Sequence, residues 1–92
     1  MRREELEYAD RTARAGLRFL LAARDQFQGS AELLRRAGEH SVSEAALEVV
    51  SQIERTLIYA DRSMGEGLDY EDYLADRIDY IVTAQMANEG KS

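Results

Sequence analysis

The chain has 92 residues, of which 12 are basic and 18 acidic for a formal charge of −6, and it contains no Cys, Pro or Trp. That length holds one small domain with a modest core, and the missing cysteines exclude a disulfide framework, a thiolate nucleophile and cysteine-ligated zinc or iron–sulfur sites. The acidic balance argues against direct binding to nucleic acid, whose phosphates reward a basic surface.

Richness in Ala, Leu, Glu and Arg, the residues that lose least on entering a helix, predicts an all-α fold. At the N-terminus Arg2 and Arg3 are followed by acids and not by an apolar run, so no signal peptide is expected there. No stretch approaches ~18 consecutive apolar residues, and the expectation is a cytoplasmic protein with no membrane partner.

The spacing predicts a first helix over residues 3–28. Leu6, Ala9, Ala13, Leu17, Leu20, Leu21 and Phe27 line one side, and a weaker apolar line of Tyr8, Ala15, Phe19 and Ala22 lies roughly opposite. A helix apolar on two sides touches something on both, and the second line is assigned to another subunit. Arg11, Arg14 and Arg18 follow one another at helical spacing on the polar strip between, and guanidinium forks suit an anionic small molecule such as a nucleotide in an oligomeric pocket.

Gly29-Ser30 interrupts the pattern. Ser30 can cap a short second helix ending at Gly38, or the segment is a kink in one long helix; both readings stand at this point. The strongest amphipathic stretch is Ser41–Met64. Ser41-Val42-Ser43-Glu44 reads as a capping box, and Val42, Ala46, Val49, Val50, Ile53, Leu57, Ala60 and Met64 recur every three or four residues to form one buried face. Leu47 and Ile58 sit together on its flank and are read as a further subunit contact. Gly65-Glu66-Gly67 closes this helix with glycine in the left-handed conformation. Asp69 then caps a last helix with Glu71 and Asp72 in its first turn, and Tyr70, Leu74, Ile78, Ile81, Val82 and Met86 share its inner face. Residues 88–92 form a tail with no reason to be ordered. The predicted architecture is a single domain over 1–92: a small antiparallel bundle of three main helices plus a short fourth.

Four carboxylates, Asp69, Asp72, Asp76 and Asp79, recur at steps of three and four on one side of the last helix, about opposite Leu74, Ile78 and Ile81. They therefore point outward, and the Glu-x-x-His pairs of di-metal bundles are missing, so neither metal nor other cofactor is expected. Tyr73 and Tyr80 stand beside this stripe, a composition suited to a protein interface because tyrosine buries large area at low entropic cost. His40, the sole histidine, follows Arg35 at the Arg-x-x-x-x-His spacing of ribonucleases of the HEPN type, but that pair straddles Gly38 in a predicted turn and reads as surface. No Ser/His/Asp or Cys/His arrangement is present to support nucleophilic catalysis.

Glu44 and Glu48, with Leu57-Ile58-Tyr59 and the later Gly67-Leu68-Asp69-Tyr70-Glu71-Asp72, are similar to elements of the all-α nucleotide pyrophosphohydrolases of the MazG type. Such enzymes hold magnesium between two glutamates on one helix and a Glu-x-x-Asp pair on the next. Here Gln52 and Arg55 stand where the acidic pair belongs, so this resemblance implies at most a degenerate or active metal-dependent relative. The leading expectation is a non-enzymatic, homo-oligomeric interaction module. Asp72, Asp76, Asp79, Tyr73 and Tyr80 would meet a partner protein with a basic surface, as small acidic helical inhibitors of nucleic-acid-handling complexes do.

Overall fold

The computed structural model describes residues 2–68 and 70–90. Three helices follow one another, α1 (Arg3–Arg36), α2 (His40–Met64) and α3 (Asp72–Gly90), with no strand among the described residues. The fold is all-α, as the composition predicts, but the fourth helix does not exist: α1 runs unbroken through Gly29 and Ser30. A glycine inside a helix costs only about 0.5–1 kcal/mol, and continuing the helix places Ala31 against α2, where it is buried. There the Ser43 hydroxyl donates to the Ala31 carbonyl at 2.7 Å.

The end of α1 is set by Gly38, whose φ of 85° is the one positive φ among the described residues. With glycine in that conformation, the Gly38 N–H donates to the Arg35 carbonyl at 3.1 Å and the Glu39 N–H to the Leu34 carbonyl at 2.9 Å. This pair of bonds is the Schellman arrangement, which satisfies carbonyls that the last turn would leave orphaned. The chain reverses here and α2 returns antiparallel to α1.

The expected capping box does not form. α2 starts at His40, Glu39 precedes it without a side-chain cap bond, and Ser41 and Glu44 are exposed. Ser43 lies on the face that meets α1, so its hydroxyl serves the Ala31 carbonyl while its amide donates to Glu39. The glycines after α2 also act differently from expectation. Gly65 has right-handed helical angles, φ −57° and ψ −37°, and a Cβ built on it would run into the backbone carbonyl oxygen of Asp61. Glycine is needed there for space and not for its left-handed freedom.

Asp69, the expected cap of the last helix, lies outside the described residues. α3 begins at Asp72 immediately after Glu71, whose carbonyl accepts the Ala75 amide at 2.9 Å. The helix continues through Asn88 and Glu89 to Gly90, so residues 88–90 extend it instead of forming a loose tail; residues 91 and 92 lie outside the described residues.

The core joins Leu17 and Leu21 of α1, Leu57 and Ala60 of α2, and Leu74, Ile78 and Ile81 of α3, flanked by half-buried Leu20, Ile53, Leu68, Tyr70 and Val82. It is confined to part of the molecule for a reason of length. At 1.5 Å per residue α1 is about 51 Å long and α3 only about 28 Å, while the molecule measures 53 × 27 × 20 Å. α3 therefore covers only about half of the α1–α2 hairpin. It starts beside α1, where Arg18 meets Glu71, and ends beside the outer flank of α2, where Glu89 shares a recess with Arg55, Ile58 and Tyr59. On the side turned away from it, Phe27 and Val42 of the expected apolar faces stay exposed, together with Leu33, and so do Leu6, Met64 and Met86 at helix ends.

Candidate interaction surfaces

Two polar links fix α3 on the hairpin and so decide which of its side chains face outward. Glu54, buried on α2, accepts from Arg24 of α1 at 2.7 Å on one oxygen and from Gln85 of α3 at 2.8 Å on the other. All three helices meet at this carboxylate. Beside it, one Arg77 nitrogen on α3 donates to both oxygens of Asp25 on α1, at 2.7 and 2.8 Å. The Arg77 hydrogen bond holds the Asp25 carboxyl below its ordinary range, against a smaller opposing effect of desolvation. Sequence reasoning missed both links. The partners stand 30 or more residues apart, and only the position of Glu54 on the same face as Val50 and Leu57 of α2 hinted at a buried partner.

With α3 held this way, Leu74, Ile78 and Ile81 point into the core, and Asp72, Asp76, Asp79, Tyr73 and Tyr80 are all exposed. The three aspartates make no hydrogen bond or ion pair among the described residues. This separates them from Asp25, Glu32, Glu48, Glu54 and Glu71, each of which is bound by an arginine. Tyr73 is 60% exposed but in contact with Arg77: its ring lies 5.8 Å from the Arg77 guanidinium carbon and its hydroxyl accepts from Arg77 at 3.0 Å. An aromatic side chain engaged by Arg77 thus flanks the unpaired carboxylates. Tyr70, by contrast, turns inward. Its hydroxyl is buried without a hydrogen-bond partner, and burial, with the Asp61 carboxylate adding to it, pushes the phenol pKa up.

The arginine strip of α1 is engaged within the chain. Arg14 pairs with Asp10 at 2.8 Å and Arg18 with Glu71 at 2.7 Å, while Arg11 is exposed. An anion reaching these side chains would compete with carboxylates already in place. Arg35 is likewise bound to Glu32 at 2.6 Å, and His40 is the exposed first residue of α2. Among the described residues, no group of three His, Cys, Asp or Glu side chains is placed to hold a metal ion. Glu54, the acidic residue nearest the expected catalytic position, has both oxygens occupied.

The residues expected to meet a second subunit do not share one surface. Tyr8, Phe19 and Ala22 are exposed and Ala15 half-buried along the outer edge of α1. Leu47 instead borders a recess with Asp25, Glu32 and Ser43, and Ile58 borders one with Glu89; both lie on the side of the hairpin that carries α3. None of the helices among the described residues is long and apolar enough to cross a membrane. Compared with protein-family models, with curated proteins and with solved structures, the chain matches none.

Proposed function

We propose that the protein acts by binding and not by catalysis, as a homo-oligomeric helical module whose outer α3 face recognises a partner protein with a basic surface. The observation that carries this reading is the set Asp72, Asp76 and Asp79, exposed and without internal partners next to exposed Tyr73 and Tyr80. Carboxylates with no internal cation beside them present an uncompensated negative field that steers an incoming basic partner, and tyrosine supplies contact area once it has docked. Inhibition of a nucleic-acid-handling complex is one activity of this kind.

The test is a pull-down from the native host with the wild type and with the variant Asp72→Asn, Asp76→Asn, Asp79→Asn, both verified as helical by circular dichroism. A basic protein held by the wild type, released as salt screens the contact, and absent from the variant is the expected result. Equal retention by the two proteins would overturn the assignment of this face.

A further inference from the structure

Over most of its length the side of the hairpin turned away from α3 carries no charge. One third of the residues are charged, yet between Thr12 and Ala37 every charged side chain of α1 falls outside an arc of roughly 160° about the helix axis. That arc lies about opposite Arg18 and Asp25, which hold α3. On α2 the same holds between Ser41 and Ser63. Within the combined face Phe19 is 76% exposed, Leu33 66% and Val42 51%. Phe27, Leu34, Val42, Ala45 and Val49 line a recess between the two helices. Even the threonines are turned to their own helices, Thr12 donating to the Tyr8 carbonyl at 2.7 Å and Thr56 to the Gln52 carbonyl at 2.9 Å.

We infer that this face is covered by a second copy of the chain, related by a twofold axis passing near Phe27 and Val49. The inference rests on the self-association included in the reading above, gives it a different surface, and is independent of what α3 binds. Three observations favour a second copy over another occupant. First, two chains of charge −6 repel, and this is the surface on which they meet without bringing like charges together.

Second, the pattern reads the same in both directions, as an isologous contact requires. On α1, small Gly16, Ala23, Ser30 and Ala37 recur every seven residues, with Phe19-Leu20, Gln26-Phe27 and Leu33-Leu34 between them, centred on 26–27. On α2, Val42 and Thr56 stand seven residues either side of Val49. The two centres lie at one level of the hairpin, because Phe27 and Val49 line the same recess. One twofold axis therefore serves both helices, with α1 antiparallel to its counterpart and small residues facing small ones.

Third, the area suffices. From Gly16 to Ala37 the face is about 32 Å long and, two helices wide, about 20 Å across. A symmetrical pair would bury on the order of 1,300 Å², within the range of stable interfaces. The product is a four-helix core with one α3 on each outer side.

Sedimentation velocity on the full chain, run from low to high micromolar concentration, tests this with Ser30→Glu and Gln52→Glu, both at exposed positions of the face, and with Leu47→Glu on the α3 side as control. The wild type should sediment at twice the 10.4 kDa chain mass. Ser30→Glu and Gln52→Glu should each weaken the dimer by at least about a hundredfold, because each buries a carboxylate without a partner in an apolar contact, and Leu47→Glu should leave it intact. A second variant does not depend on charge: in this cysteine-free chain, Gln26→Cys lies next to the axis and should oxidise to a covalent dimer, whereas Leu47→Cys should not. A monomeric wild type would overturn the inference together with self-association. A dimer indifferent to Ser30→Glu and Gln52→Glu would overturn this face alone and leave self-association standing.

Discussion

Replacing Arg24 by Met keeps most of the side-chain volume and removes the charge that faces Glu54. Arg24 directs two nitrogens, Nε and Nη2, to one Glu54 oxygen at 2.7 Å, and the two side chains retain only 14% and 12% of their exposure. Removing one member of a fully buried pair costs about 3–5 kcal/mol because the remaining charge is left uncompensated. Here residual solvent access and the surviving 2.8 Å bond from Gln85 soften that loss, so about 2–3 kcal/mol is expected. For a domain of this size that lowers Tm by roughly 8–20 °C. The double variant Arg24→Met with Glu54→Leu should recover most of the loss, since apolar residues of similar volume replace buried ion pairs at little cost. Thermal and urea unfolding followed by circular dichroism, at matched protein concentration because self-association would add to apparent stability, measures both. A single-variant loss below about 1 kcal/mol, the value of an exposed pair, would refute the idea that this carboxylate holds the three helices together. Failure of the double variant to recover would place the loss elsewhere.

Two glycines should respond to alanine with opposite signs. Gly29→Ala lies mid-helix with nothing within 4 Å of the new Cβ and should stabilise by about 0.5–1 kcal/mol. Gly38→Ala also has open space, but its φ of 85° is unfavourable to a side chain, so a loss of about 1–2 kcal/mol is expected; chemical denaturation of both variants checks the pair. The Asp25–Arg77 link supplies a pH dependence. Because the folded-state pKa of Asp25 is lowered from 3.8, its contribution is present above that value and is lost as pH falls through the folded pKa. Asp25→Asn should therefore be less stable than wild type at neutral pH, by about 0.5 kcal/mol given the half-exposed carboxylate. The two should converge in acid, and a constant gap across the acid range in parallel unfolding titrations would contradict this.

Periodicity alone determined the helical class, the extent of α2 to within one residue and the inward-facing side chains near the middle of each helix, because a repeat of three and four has no other fold in which to bury. It also placed Asp72, Asp76, Asp79, Tyr73 and Tyr80 on the solvent side of α3, since a helix that buries Leu74, Ile78 and Ile81 must expose the opposite arc. Three matters were decided only in the tertiary structure. Gly29 is a small local penalty, and whether it breaks a helix depends on whether Ala31 finds a partner surface, which Ser43 supplies. Ser43 itself has two uses, cap or crosslink, and the approach of α1 selects the second. Glu54 looked like one more polar residue until Arg24 and Gln85, each about thirty residues away, came within hydrogen-bond distance. Burial by period is a property of one helix and is written locally; pairing of charges and the limited reach of a short α3 are properties of three helices together.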